Sequence, residues 1–220
     1  MSPPSATAPA RRDAPRRSSA AKRKAAARRR RSVFLAGLLG VVVIVAVVLV
    51  APLARKAVKE FGLPLQYQGV IRQEAAQKRL DPALIAAVIY AETEFDPRTS
   101  SAGALGLMQI LPQTAEFLAH RSGATSFSTA DLASPQVNIA YGSYYLRYLL
   151  DEYGGNRVLA LAAYNGGEAN VDHWVAAARA RGQRFTTEDI PFPETRAYVE
   201  RVLKAQRDYR RTYASQLGYS

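Results

Sequence analysis

The chain has no cysteine, two histidines and two methionines in 220 residues. Without cysteine there is no disulfide framework, no thiolate metal site and no cysteine nucleophile. His120 and His173 alone leave almost no material for a His-based zinc site or a Ser-His-Asp triad, so no metal and no cofactor is expected. Alternating apolar–polar runs are absent, which argues against half-buried strands. No internal repeat of about 20–50 residues is visible, which excludes a solenoid or propeller.

Acidic residues are scarce where the basic ones gather. The net charge is +12, a value that by itself suggests a nucleic-acid partner. Its distribution suggests otherwise. Residues 1–32 hold eleven Lys or Arg against one acid, Asp13, while the rest of the chain holds nineteen bases and seventeen acids. Residues 1–32 are rich in Ala, Pro, Ser and Arg without apolar periodicity. Such a segment buries too little surface to offset its ordering entropy, so it is expected to be a disordered tail.

The tail abuts "SVFLAGLLGVVVIVAVVLVAPLA", Ser32 to Ala54, in which Val33 to Ala51 carry no charge. Those 19 residues make a helix of roughly 30 Å, the thickness of a bilayer core. A cleaved signal peptide has a shorter apolar region and a small-x-small cleavage site; the pairs Leu49/Ala51 and Pro52/Ala54 are poor sites. The expectation is an uncleaved transmembrane anchor at 33–54. The Arg cluster before it keeps residues 1–32 cytoplasmic and exports the rest, giving a single-pass membrane protein with an extracytoplasmic domain. Orientation and attraction to anionic lipid account for the tail's charge, so nucleic acid is not the expected partner. Residues 55–65 read as a linker and 66–220 as one domain.

The exported part is punctuated by helix signals. Asp81-Pro82 and Ser134-Pro135 each pair an N-cap residue with proline at the first helical position. Ser128 to Asp131 resembles a capping box. Gly154-Gly155 stops the long segment Gln136 to Tyr153, and Gly166-Gly167 breaks the apolar segment Val158 to Ala163. Pro191 and Pro193 precede a last helix over Glu194 to Tyr213, where Tyr198, Val202 and Ala205 share one buried face. The fold class is therefore all-α.

Within this helical body, "LIAAVIYAETEFDP", Leu84 to Pro97, runs an apolar segment straight into two carboxylates. On a helix, Ile85, Val88, Ile89 and Glu92 fall on one face, and Glu94 points about 200° away from Glu92. Glu92 is thus expected to be semi-buried and Glu94 exposed. Burial raises a carboxyl pKa, as a proton donor to a glycosidic bond requires. A structural Glu closing the last turn is the alternative. Downstream, "SSAGALGLMQILPQTA", Ser100 to Ala115, is a small-residue loop in which Gln109 could present an amide beside Glu92 and Met108 an apolar wall. It is no phosphate loop, because no Lys-Ser/Thr follows its glycines.

Together, "AETEFDP…SSAGALGLMQILPQTA", "NIAYGSYYLRYLL" (138–150), "LAAYNGGEANVDHW" (161–174) and "IPFPETRAYVERVL" (190–203) resemble, in order, the motifs of soluble-lytic-transglycosylase-like domains, relatives of goose-type lysozyme. The match covers roughly residues 66–213. It implies a lysozyme-like α fold and cleavage of the MurNAc–GlcNAc β-1,4 bond of peptidoglycan glycan strands, with formation of a 1,6-anhydro end. It also implies Glu92 as the single acid/base, and Met108, Gln109, Tyr164, Asn165 and Glu194 as substrate-binding residues. Thr93 stands where the family usually has Ser, and keeps the hydroxyl. Tyr141, Tyr144, Tyr145 and Tyr148 are expected mainly to pack in the core. Two other outcomes stay open: a lysozyme-type muramidase on the same fold, or a non-catalytic wall-binding module. Cell-wall synthesis, division or secretion machinery are conceivable partners.

Overall fold

The computed structural model describes residues 62–219 together with Val48. The basic tail and the anchor expected at 33–54 lie outside the described residues, Val48 excepted, as does most of the linker. Among the described residues no helix is long and apolar enough to cross a membrane.

Seven α-helices are found among the described residues: α1 (Gln68–Lys78), α2 (Pro82–Thr93), α3 (Pro112–Ser122), α4 (Pro135–Glu152), α5 (Arg157–Gly166), α6 (Glu168–Ala180) and α7 (Pro193–Thr212). Short 3-10 turns at Thr129–Ala133 and Thr187–Asp189 precede α4 and α7. The all-α expectation needs one correction. An antiparallel ribbon of two-residue strands, β1 (Arg98–Thr99) and β2 (Leu105–Gly106), pairs Arg98 with Gly106 and Thr99 with Leu105. Strands this short carry no periodicity, so only the closed loop reveals them.

The helix starts follow their local chemistry. Asp81 accepts a hydrogen bond from the Ala83 N–H at 2.9 Å, capping α2. Ser128 and Asp131 form the expected capping box, but on a 3-10 turn. Ser134 does not cap α4 through its side chain; its hydroxyl donates to Gln136 Oε1 instead. Arg196 closes the turn before α7, donating twice to the Ile190 carbonyl.

Helix α2 is the hub. Every residue from Ala83 to Ile89 is buried, not just the one expected face. A helix apolar all round must be enclosed on every side. Its most extensive partner is α7, and α1 also packs on it. Each buried Leu, Ile or Val is worth roughly 1.5–3 kcal/mol. From α7, Tyr198, Val199, Val202, Ala205 and Tyr209 enter the same core. The other layer is α4 against α5, with α5 also touching α6 and α7.

Candidate active site

Helix α2 ends at Thr93, and Glu94 and Phe95 turn the chain with φ of 53° and 67°. Left-handed backbone costs a non-glycine residue about 1–2 kcal/mol. Glu94 is exposed, as expected, but because the helix has stopped rather than by rotation around it. Glu92, one residue before the end, is half-buried.

The environment of Glu92 is built by three elements. Burial pushes its carboxyl up to about 7, against the Tyr198 hydroxyl and the charges of Arg201 and Arg98, all of which lower it. Arg98, on β1, donates to the Glu92 main-chain carbonyl at 2.7 Å. Tyr198 is 2% exposed. Its hydroxyl faces the Glu92 carboxyl, and burial, then that charge, raises it well above the ordinary range. Buried tyrosine hydroxyls usually find a partner, and the Glu92 carboxyl is the group this one acts on. Tyr164, from α5, also feels the Glu92 charge; burial, then that charge, raises its hydroxyl well above the ordinary range.

The loop that carries the Gly-Leu-Met-Gln segment is locked from behind. The Thr93 hydroxyl donates to the Leu107 carbonyl at 2.8 Å, tying α2 to it. Asn138, fully buried on α4, donates to the Leu105 and Leu132 carbonyls and accepts from the Met108 N–H. Tyr164 donates to the Met108 carbonyl at 2.8 Å. Gly106, at φ +73°, leaves room for Asn138: a Cβ there would sit 2.2 Å from its Nδ2.

Met108 was expected to wall a sugar groove. Its side chain is instead fully buried, so close to α4 that a Cβ on Gly142 would lie 2.4 Å from its sulfur. It supports the loop rather than facing solvent. Gln109 is half-buried with φ 50° and spends its amide nitrogen on the Arg98 and Gly106 carbonyls, each at 2.8 Å. Asn165 is exposed at the end of α5, and Glu194 is exposed in the first turn of α7. The structure thus gathers Glu92 and Tyr164 directly, and Met108 through its carbonyl. Sequence reasoning placed Tyr198 only in the core stripe and passed over Arg98 and Arg201. The one available signal was a tyrosine in a buried stripe, whose hydroxyl must be accommodated.

The four tyrosines of α4 are all half-buried. Tyr145 packs on Tyr164 with ring centroids 5.2 Å apart, and Tyr148 donates to Glu168 at 2.9 Å. Among the described residues, no cluster of three or more His, Asp or Glu side chains could hold a metal ion.

This chain belongs to the transglycosylase SLT domain family, whose profile matches residues 69–185, a little over half of it. It is 35% identical over 155 residues to the soluble lytic murein transglycosylase of Escherichia coli K12, covering 69% of this chain and 24% of that protein. Over 166 residues it is 31% identical to the membrane-bound lytic murein transglycosylase C of Actinobacillus pleuropneumoniae, covering 66% of this chain and 46% of the relative. The crystal structure of the 70 kDa soluble lytic transglycosylase of Escherichia coli is similar with a TM-score of 0.66 at 31% identity, covering 74% of this chain and 27% of that one. The chain therefore spans about a quarter to a half of the length of these relatives. The family resemblance read from the four motifs holds, and the mostly helical body has the lysozyme-like fold of that family.

Proposed function

We propose that this chain is a membrane-anchored lytic transglycosylase that cleaves the MurNAc-β-1,4-GlcNAc bond of peptidoglycan, with Glu92 as its only acid/base. The observation that carries this is the half-buried Glu92 carboxyl, pushed up to about 7 and faced by Tyr198 and Tyr164, in a chain of this family. At neutral pH a carboxyl of that kind is present both as acid and as base, as a residue that must give and then retake a proton requires.

In the proposed reaction Glu92 gives its proton to the glycosidic oxygen as the C1–O bond of MurNAc breaks. The resulting carboxylate removes the proton of the C6 hydroxyl. That oxygen bonds to C1, closing the 1,6-anhydro ring, and Glu92 is protonated again. No water is consumed. Glycosidases that use water or a covalent intermediate position a second carboxylate within about 5–9.5 Å of the acid. The relatives bear the name of lytic transglycosylases rather than of muramidases, which favours the intramolecular hydroxyl. Tyr164 and Tyr198 would orient the carboxyl. Gln109, Asn165 and Glu194 are assigned to substrate contacts, and Met108 to support of the loop. The apolar run at 33–54 would hold the domain on the outer face of the membrane, with 1–32 cytoplasmic.

The test is digestion of purified sacculi by the full-length protein in detergent, with muropeptides resolved by mass spectrometry. Anhydro-ended products are expected from wild type, and a drop of roughly 10²–10⁴-fold in rate from Glu92→Gln. Reducing ends would identify a muramidase. Retention on sacculi with no released product would identify a wall-binding module.

A further inference from the structure

Helix α7, Tyr90 of α2 and the lead-in residues Gly62 and Leu63 line a half-open cavity of about 400 Å³. Its wall is fixed: the Tyr90 hydroxyl donates to the Gly62 carbonyl at 3.3 Å and the Tyr213 hydroxyl to the Leu63 carbonyl at 2.8 Å. Arg201, Lys204 and Arg211 line it with a single acid, Asp208. Asp208 receives Lys204 at 3.0 Å and Arg211 at 2.6 Å, so one carboxylate serves two cations. Arg201 is exposed, and its charge reaches the Glu92 carboxyl. The lining side chains alone thus carry two positive charges in excess, of which that of Arg201 is shared with Glu92, beside apolar Leu63 and Ala205. The helix macrodipole accounts for a base in the last turn of α7 but not for Arg201 and Lys204, two to three turns upstream.

We propose that this cavity takes the phosphate of an anionic phospholipid headgroup. The charge is complementary, and the chain outside the described residues favours this occupant. Only ten residues separate Ala51, the end of the charge-free run, from Gly62 in the cavity wall, and they include Arg55, Lys56 and Lys59. Basic residues close to a bilayer gain about 1 kcal/mol each from anionic lipid, roughly a fivefold change in binding. This assignment rests on the anchor proposed above. The carboxylates of murein peptides, or free phosphate, would satisfy the same charge, and the labelling experiment distinguishes them.

The full-length protein is placed in nanodiscs of phosphatidylcholine, with or without phosphatidylglycerol, and lysine acetylation rates are read by mass spectrometry. Phosphatidylglycerol is expected to slow acetylation of Lys204 about fivefold and to leave Lys78, which is paired with Glu74, unchanged. Arg211→Gln should lose most of that lipid effect while cleaving sacculi at the wild-type rate. An absence of lipid dependence at Lys204, equal slowing at Lys78, or an undiminished effect in Arg211→Gln would overturn the proposal. So would protection of Lys204 in phosphatidylcholine discs by a murein stem peptide or by inorganic phosphate. Flotation of the discs tests the anchor separately. Should the chain leave the discs, the same labelling with added phosphatidylglycerol vesicles still decides the cavity's ligand.

Discussion

Glu92 titrates near 7 because burial outweighs the tyrosine and the two arginines that favour its charge. That balance has a consequence for stability. Over about pH 4.5 to 7 the folded chain holds a proton on Glu92 that the unfolded chain has lost, so stability falls as pH rises through this window. The loss amounts to about 3 kcal/mol by pH 8. Glu92→Gln, which cannot ionise, should unfold like wild type at pH 4 and be more stable by up to that amount at pH 8, measured by urea denaturation at both values. The same balance sets activity. Arg201 lowers the Glu92 pKa, so Arg201→Gln should move the basic limb of kcat/KM on murein upward from about 7, by a few tenths of a unit to one unit. An unmoved limb would show that Glu92 is not the titrating acid.

Among the elements, the contact between α4 and the loop at 105–110 decides whether the site exists. Gly142 on α4 admits the Met108 sulfur, and Gly106 admits Asn138. Gly142→Ala should cost about 1–3 kcal/mol by overpacking, and Gly106→Ala more, since it adds the left-handed strain of φ +73°. Thermal melting checks both. Helix starts at Asp81 and Pro135, and the glycine stops at 154–155, were legible because a side-chain cap, a first-position proline and a terminal glycine are local chemistry. Helices α1 and α6 carry no equally sharp signal at their starts, since Tyr67 and Gly167 offer no side-chain cap and no proline follows them. The burial of α2 on all faces was not legible either, because its alanines suit a buried or an exposed position equally.

For the molecule as a whole, charge separates the chain into a basic N-terminal stretch and a nearly neutral remainder. Deleting residues 1–54 should release the protein from membranes while sacculus cleavage persists, as fractionation and a digest would show. A chain that still sediments with membranes would place its attachment in the described domain. The relatives are consistent with either arrangement, since one is called soluble and another membrane-bound.

The sequence by itself determined the family, the position of the candidate acid and the helix boundaries marked by proline or glycine. These rest on ordered motifs and on interactions within a few residues of each other. Only the tertiary structure decided what Glu92 meets. Tyr198 and Arg201 lie more than a hundred positions downstream, and the packing of α7 against α2 brings them together. It likewise turned Met108 from an expected groove wall into a core residue, because the loop's direction is set by Asn138 from another helix. A pKa depends on desolvation and on charges from distant segments, and neither is encoded in local spacing.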